Sequence, residues 1–316
     1  MRVSSSQFHM TVNASLQNSN AELEKLMGQM ASGNRLTRPS DDPVSHVRIA
    51  RLQREEASID QYLSNIDALN SRLSYSETVM TGMDNDLLSA RDLLVWALDG
   101  TNTTADLQSM ATSMEALRDS LMASSLTKDQ EGNYLFSGTA TRTPTVVRQD
   151  VLSADGQPVL GTDGKPLQAY VAGGNRGQQM VVVGNGITQP ANVALGDETA
   201  AVLNALQKAI TAIRQDGANA NQPQTRDALT QALTAVDVAK DSMGVEVSRI
   251  GGAQNIMATL ESNLNNLSTA NQTATLEYGQ LDYAEASTRL YALTAAIQAT
   301  QGAYGKVSQL SLFNVL

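Results

Sequence analysis

Asp41 and Asp42 stand side by side shortly before His46 in the stretch "SGNRLTRPSDDPVSH", Ser32 to His46. Adjacent carboxylates beside a histidine can hold a metal ion or share acid–base work. They can equally punctuate a helix. Asp42 precedes Pro43, and a residue before proline is pushed to the extended dihedrals an N-cap needs, while proline is favoured at the first helical position. Asp41 gains from the positive end of the same helix. The pair has a sufficient explanation as a cap, and capping is the expected role.

The rest of the chain offers no better seat for catalysis. His9 and His46 lie in different segments, without HExxH or H-x-x-E-H spacing, and there are no cysteines, so neither a disulfide frame nor a thiolate metal site can exist. "GGNRGQQ", Gly173 to Gln179, is glycine-rich but lacks the Walker spacing and its following Lys-Ser or Lys-Thr, so a loop between strands is expected. No GxSxG elbow occurs. Catalytic residues, metal ligands and cofactors are all expected to be absent, and the chain reads as a non-enzyme.

A formal charge of -10 without a basic cluster argues against a nucleic-acid partner, whose affinity would come mostly from grouped Lys and Arg. Nowhere do about 18 apolar residues run together, so membrane insertion is not expected. The opening "MRVSSSQFHMTVNASLQNSNAELEKL" lacks the apolar run of a secretory signal. Export, if it occurs, is expected to read no cleavable leader.

The elements around these residues read as mainly helical. With 41% hydrophobic but only 4% aromatic and 17% charged residues, the composition suits thin helical seams and an elongated protein. Leu16, Leu23 and Met30 recur at heptad steps, with Val12 and Leu26 on the adjoining seam, and Gly33 is placed to end that helix. Near the other terminus Leu276, Tyr283, Leu290, Ile297 and Tyr304 form one heptad series, with Ala286, Leu293 and Val307 on a second. Over its span a single helix would reach roughly 45 to 50 Å at about 1.5 Å per residue. The two terminal helices are expected to pair as a coiled coil. One partner cannot cover "LYALTAAIQAT" and "LSLFNVL", which are apolar round much of their circumference, so other copies of the chain are expected to help.

Further helical patterns run from Val44 to about Leu98, from a Thr103 or Thr104 cap to about Leu126, from Asp197 to about Ile213 and from Pro223 to about Thr275. Between Gly132 and Gly196 prolines, glycines and short valine runs signal a small β-domain. Asp155-Gly156, Asp163-Gly164 and Asn185-Gly186 are expected to make hairpin turns in which both central residues take positive φ.

These residues resemble the bacterial flagellin superfamily and, within it, the hook-filament junction proteins, the hook-associated proteins of type 3. The likeness rests on Ser32-Gly33-Asn34-Arg35-Leu36 followed by Asp41-Asp42, with the Pro39 to Pro43 frame tilting it toward the junction proteins. It rests also on "GNYLFSGTATRTPTV" from Gly132, "VSRIGGAQNIMATLESNLNNLS" from Val247 and "LDYAEASTRL" from Leu281.

The resemblance implies an elongated flagellin-like bundle with three parts: a terminal coiled-coil polymerisation domain (1–42 with 276–316), a helical core domain (43–135 with 197–275) and an inserted β-rich outer domain (136–196). It implies a structural adaptor that assembles as a ring, meeting another hook-associated protein on the hook side and flagellin on the filament side. It also implies location in the extracellular flagellum, passage through the flagellar secretion apparatus, and a cytoplasmic chaperone on the C-terminal helix. The assembly interface is expected at Leu16, Leu23, Met30, Tyr283, Leu290, Leu293, Ile297 and Tyr304, and an interdomain hinge and cap at Gly33, Arg35, Arg38, Asp41, Asp42 and Pro43. Arg35 and Arg38 are available to pair with acidic side chains of this chain or a neighbour. The alternatives are a filament flagellin, a flagellin-like scaffold carrying an enzymatic insert, and a cytoplasmic coiled-coil protein with a β-insert.

Overall fold

Repeated three- and four-residue steps between apolar residues dominate the long helices, and a helix with that pattern buries one narrow seam. In the computed structural model the described residues are 2–151, 153, 157–159, 168–215 and 217–313, with side chains described between 6 and 307. Their elements are α1 (Arg2–Ser32), α2 (Pro43–Ala97), α3 (Thr104–Ser125), β1 (Val146–Asp150), β2 (Gln168–Ala172), β3 (Met180–Gly184), β4 (Ile187–Pro190), α4 (Gly196–Ile213), α5 (Pro223–Gly279) and α6 (Tyr283–Phe313). The chain is mainly helical with a small β-rich insert, as the sequence implies.

Two compact units share α2 and α5: one comprises Met1–Asp60 with Asn265–Leu316, the other Gln61–Leu264. In the second, Ile66, Leu69, Leu73, Met80, Met83, Leu87, Ala90 and Leu94 of α2 are all buried at alternating heptad spacings. Leu229, Ala232, Val236, Ala239 and Met243 of α5 answer them. Arg91–Asp237 and Lys240–Asp84 ion pairs mark the two helices as antiparallel. Thr103 opens α3 through a capping box: its hydroxyl accepts from the Asp106 N–H, and the Asp106 carboxylate accepts from the Thr103 N–H.

The β-rich part consists of two antiparallel hairpins, β1 with β2 and β3 with β4. Gly173 to Gln179 is the loop between β2 and β3. Its glycines allow close backbone approach: a Cβ on Gly174 would stand 2.6 Å from the Ser137 carbonyl oxygen. Ahead of it Leu135 and Phe136 are fully buried and join the hairpins to the helical core.

Two sequence expectations need correction. Leu276 belongs to α5 and not to the last helix, because Asp282 caps a separate α6 by accepting from the N–H groups of Ala284 at 2.8 Å and Glu285 at 3.2 Å. At the β3–β4 turn only Gly186 has positive φ, 72°, so Asn185-Gly186 is not a turn with both central residues left-handed. The Asp155-Gly156 and Asp163-Gly164 turns, and the final residues 314–316, lie outside the described residues.

Phe136→Ala should destabilise the chain by about 3–5 kcal/mol, as expected for a large cavity at a fully buried aromatic. Urea unfolding followed by circular dichroism measures it, and a loss below about 1 kcal/mol would show that the site collapses around the truncation.

Candidate functional site: the terminal helix pair and its hinge

Every residue expected from sequence to form the interface or the hinge falls in the terminal unit. At the end of α1, Gly33 takes φ 71° and donates its N–H to Gln29 O at 2.9 Å, the behaviour of a C-terminal glycine cap. The chain then pairs briefly with the stretch between α5 and α6. The Leu281 N–H donates to Gly33 O at 3.0 Å and the Arg35 N–H to Gly279 O at 2.8 Å, forming an antiparallel bridge centred on Asn34 and Gln280. The Tyr283 hydroxyl adds a bond to Met30 O at 3.0 Å.

Side chains fasten this strap. The Arg35 guanidinium donates to Tyr278 O at 2.9 Å, near the C-terminus of α5 where a cation suits the free carbonyls. Its approaches to Asp42 and to the Ser45 hydroxyl are looser, both 3.5 Å. Gln29 Nε2 donates to Arg35 O at 2.5 Å. Arg48 lies over the Tyr278 ring, 5.3 Å from its centroid, and donates to its hydroxyl at 3.2 Å. Arg38 is exposed and makes no ion pair among the described residues.

The two aspartates divide the remaining work. Asp42 caps α2: it accepts from the Ser45 N–H at 3.1 Å and the Ser45 hydroxyl at 2.6 Å, with Pro43 at the first helical position. Those two bonds, the hydroxyl first, hold its carboxyl below the ordinary value. Asp41 stabilises the loop before it. One carboxylate oxygen accepts from Lys25 Nζ at 2.7 Å, and the other from the N–H groups of Thr37 and Arg38 and from the Thr37 hydroxyl. Lys25 first, and the Arg38 N–H next, lower its pKa from 3.8 to about 2. The His46 side chain is exposed. No group of three or more His, Cys, Asp or Glu among the described residues could hold a metal ion. The carboxylates that first suggested chemistry are engaged as loop and helix supports.

From the strap, α1 and α6 run antiparallel, so Met30 meets Tyr283 at one end and His9 packs edge-on against Tyr304 at 5.3 Å near the other. Leu16, Leu23, Met30, Leu290, Leu293 and Tyr304 are half-buried, Ile297 is 9% exposed and Tyr283 stays exposed apart from its hydroxyl bond. The tightest positions on the pair are Leu26, 5% exposed, and Ala286, 2% exposed. The residues picked from heptad spacing therefore group about the seam inside one chain. Phe8, Met10 and Met27 on α1 and Tyr291 on α6 are left uncovered. They fall off the heptad series, which is why spacing does not find them. Tyr278, Gln29 and Lys25, which hold the strap and the loop after it, are equally invisible to heptad spacing.

The terminal unit is thus a pair of antiparallel helices, α1 and α6, strapped together at a Gly-Asn-Arg turn. Residues 3–141 match the family described as the bacterial flagellin N-terminal helical region. Among curated proteins it is similar to flagellar hook-associated protein 3 of Salmonella typhimurium, 32% identical over 141 residues, which is 45% of this chain and 44% of the relative. It is also similar to the Escherichia coli protein of the same name, 32% identical over 143 residues and 45% of each chain. The match thus spans a little under half the length of these relatives. Among solved structures, a provisionally named flagellar hook-associated protein from Vibrio parahaemolyticus covers 76% of this chain and 100% of its own, at 26% identity and TM-score 0.64. The flagellar junction protein FlgL of Legionella pneumophila shares the fold, at 15% identity and TM-score 0.55, covering 74% of this chain and all of its own.

Asp41 yields a pH prediction. Its folded pKa lies below its unfolded value, so its stabilising contribution is complete above about 3.8 and is lost as pH falls through about 2. The Asp41 carboxyl carbon should titrate near 2 by NMR; a midpoint at the ordinary carboxylate value would show the Lys25 contact to be absent. Arg35→Glu places a carboxylate against the Tyr278 carbonyl, so chymotryptic cleavage at Tyr278 and Tyr283 should accelerate in the free chain. Unchanged cleavage would make the arginine a bystander.

Proposed function

We propose that this chain is a structural component of the bacterial flagellum, an adaptor at the hook-filament junction. The observation that carries the reading is a terminal helix pair closed along one seam that leaves Phe8, Met10, Met27 and Tyr291 uncovered, in a chain similar over its N-terminal stretch to hook-associated protein 3. Copies assemble as a ring through the terminal helices, meeting another hook-associated protein on one side and flagellin on the other. The segments 1–42 and 276–316 form the polymerising part, 43–135 and 197–275 the helical core, and 136–196 the outer domain. The subunit is extracellular, exported through the flagellar secretion apparatus, and a cytoplasmic chaperone covers its C-terminal helix before export.

A filament flagellin is the second reading, favoured by the match of residues 3–141 to flagellin's own N-terminal region. Immunogold labelling of flagella separates the two. A single band of label at the distal end of the hook is expected, and label along the filament would establish the flagellin reading instead.

Ile297→Asp tests assembly in cells. A charge at a position only 9% exposed cannot be solvated while α1 and α6 stay paired. The core helices should remain folded, incorporation should fail, and the cells should shed flagellin into the medium. Normal filaments on such cells would refute a role for the helix pair in assembly.

A further inference from the structure

Within the terminal unit α2 and α5 also lie side by side, and between them is a groove of about 320 Å³, lined chiefly by Leu52, Gln53, Glu56, Asn271, Gln272 and Leu276. At about 30 Å³ per water molecule it has room for a long side chain and a smaller neighbour, not for a whole helix. Two polar atoms belonging to its lining have no partner. Glu56 Oε1 accepts from the Ser268 hydroxyl and from Gln272 Nε2, whereas Glu56 Oε2 is buried and unpaired. Asn271 is 7% exposed and its Nδ2 is likewise without an acceptor. Buried polar groups are rarely left so in native proteins, and each one calls for an explanation. Leu276 stands exposed at the rim. The groove asks for a cationic donor at Glu56, an acceptor beside it and apolar cover.

The outer face of α6 has this chemistry. Arg289 is exposed and makes no ion pair among the described residues, and beside it lie exposed Ala292, Ala295, Ala296 and Ala299, whose small side chains let another helix approach to about 8 Å. Thr288 already donates its hydroxyl proton to Ala284 O at 3.0 Å, which leaves its oxygen free to accept. We infer that the groove between α2 and α5 receives two side chains from α6 of a second copy of this chain, Arg289 of that copy donating to Glu56 Oε2 and its Thr288 accepting from Asn271. The inference rests on the reading that copies assemble through their terminal helices, and it names one contact by which they do so. Charge complementarity selects this occupant. The face of α6 around Arg289 supplies an unpaired cation amid small residues, while the groove holds an unpaired carboxylate oxygen amid leucines.

The chain has no cysteine, so introduced thiols report without background. Full-length Glu56→Cys mixed with full-length Arg289→Cys should give a cross-linked heterodimer with a short bismaleimide, which spans the distance that the paired Glu and Arg side chains fill and a direct disulfide cannot. Absence of that species, or a yield no higher than when Glu55→Cys replaces Glu56→Cys, overturns the contact. By sedimentation, Glu56→Arg and Arg289→Glu should each weaken self-association about tenfold, and the two together in one chain should restore it. A double variant no better than the weaker single overturns the pairing, and circular dichroism of each variant separates misfolding from lost contact. The contact and the location fail separately. Cross-linking with label along the filament refutes the junction reading alone, whereas no cross-link with label at the hook end refutes only the contact.

Discussion

Two backbone hydrogen bonds between opposite ends of the sequence set the register of the terminal unit: Leu281 N–H to Gly33 O and Arg35 N–H to Gly279 O. The segments they join are so distant that the Arg35 guanidinium and the Tyr278 carbonyl it binds are 243 residues apart. Loop-closure entropy opposes such a contact only logarithmically, but two solvated hydrogen bonds would not overcome it unaided. The adjoining turns of α2 and α5, held by Arg48 on Tyr278 and by the Glu56–Gln272 bond, bring the strands of the strap together. Once formed, the strap leaves little freedom to the helices on either side of it. Gly33 ends α1, Asp282 starts α6, and Met30 is committed to Tyr283.

That register decides which side chains are buried and which remain exposed. With α1 and α6 antiparallel from the strap, Leu26, Ala286 and Ile297 turn inward. The opposite faces cannot be covered by either helix. At about 25 cal/mol per Å² of apolar surface, Phe8, Met10, Met27 and Tyr291 represent stabilisation that the free chain does not collect. A two-helix seam rich in Ala, Ser and Gln adds little to compensate. This unclaimed surface and the unpaired polar atoms of Glu56 and Asn271 are what burial against another surface would satisfy.

Much of the fold could be read from residues whose signals are local. Asp42-Pro43 announces the start of α2 and Thr103 with Asp106 the start of α3, because capping needs only neighbours in sequence. The heptad steps of α2 and α5 announce a buried seam for the same reason. The end of α5 was not legible: Leu276 continues the heptad series of α6 by coincidence of spacing, while the break is made by Asp282 and by pairing with Asn34. The strap was half legible. Gly33 and Arg35 stand out, but Tyr278, Lys25 and Gln29 become its partners only through tertiary contact. The β3–β4 turn was legible in place and not in type, since Asn185 keeps negative φ.

If the strap sets the register, it must hold the terminal helices in place in the free chain. Amide hydrogen exchange on the free full-length chain reads this at Arg35 and Leu281, whose N–H groups make the two strap bonds. Both amides should be protected to the same degree as the α1 amides around Leu26, losing protection together with them. Exchange at unstructured-chain rates at Arg35 and Leu281, while α1 stays protected, would contradict this and would leave the register of α1 and α6 to be set by something else.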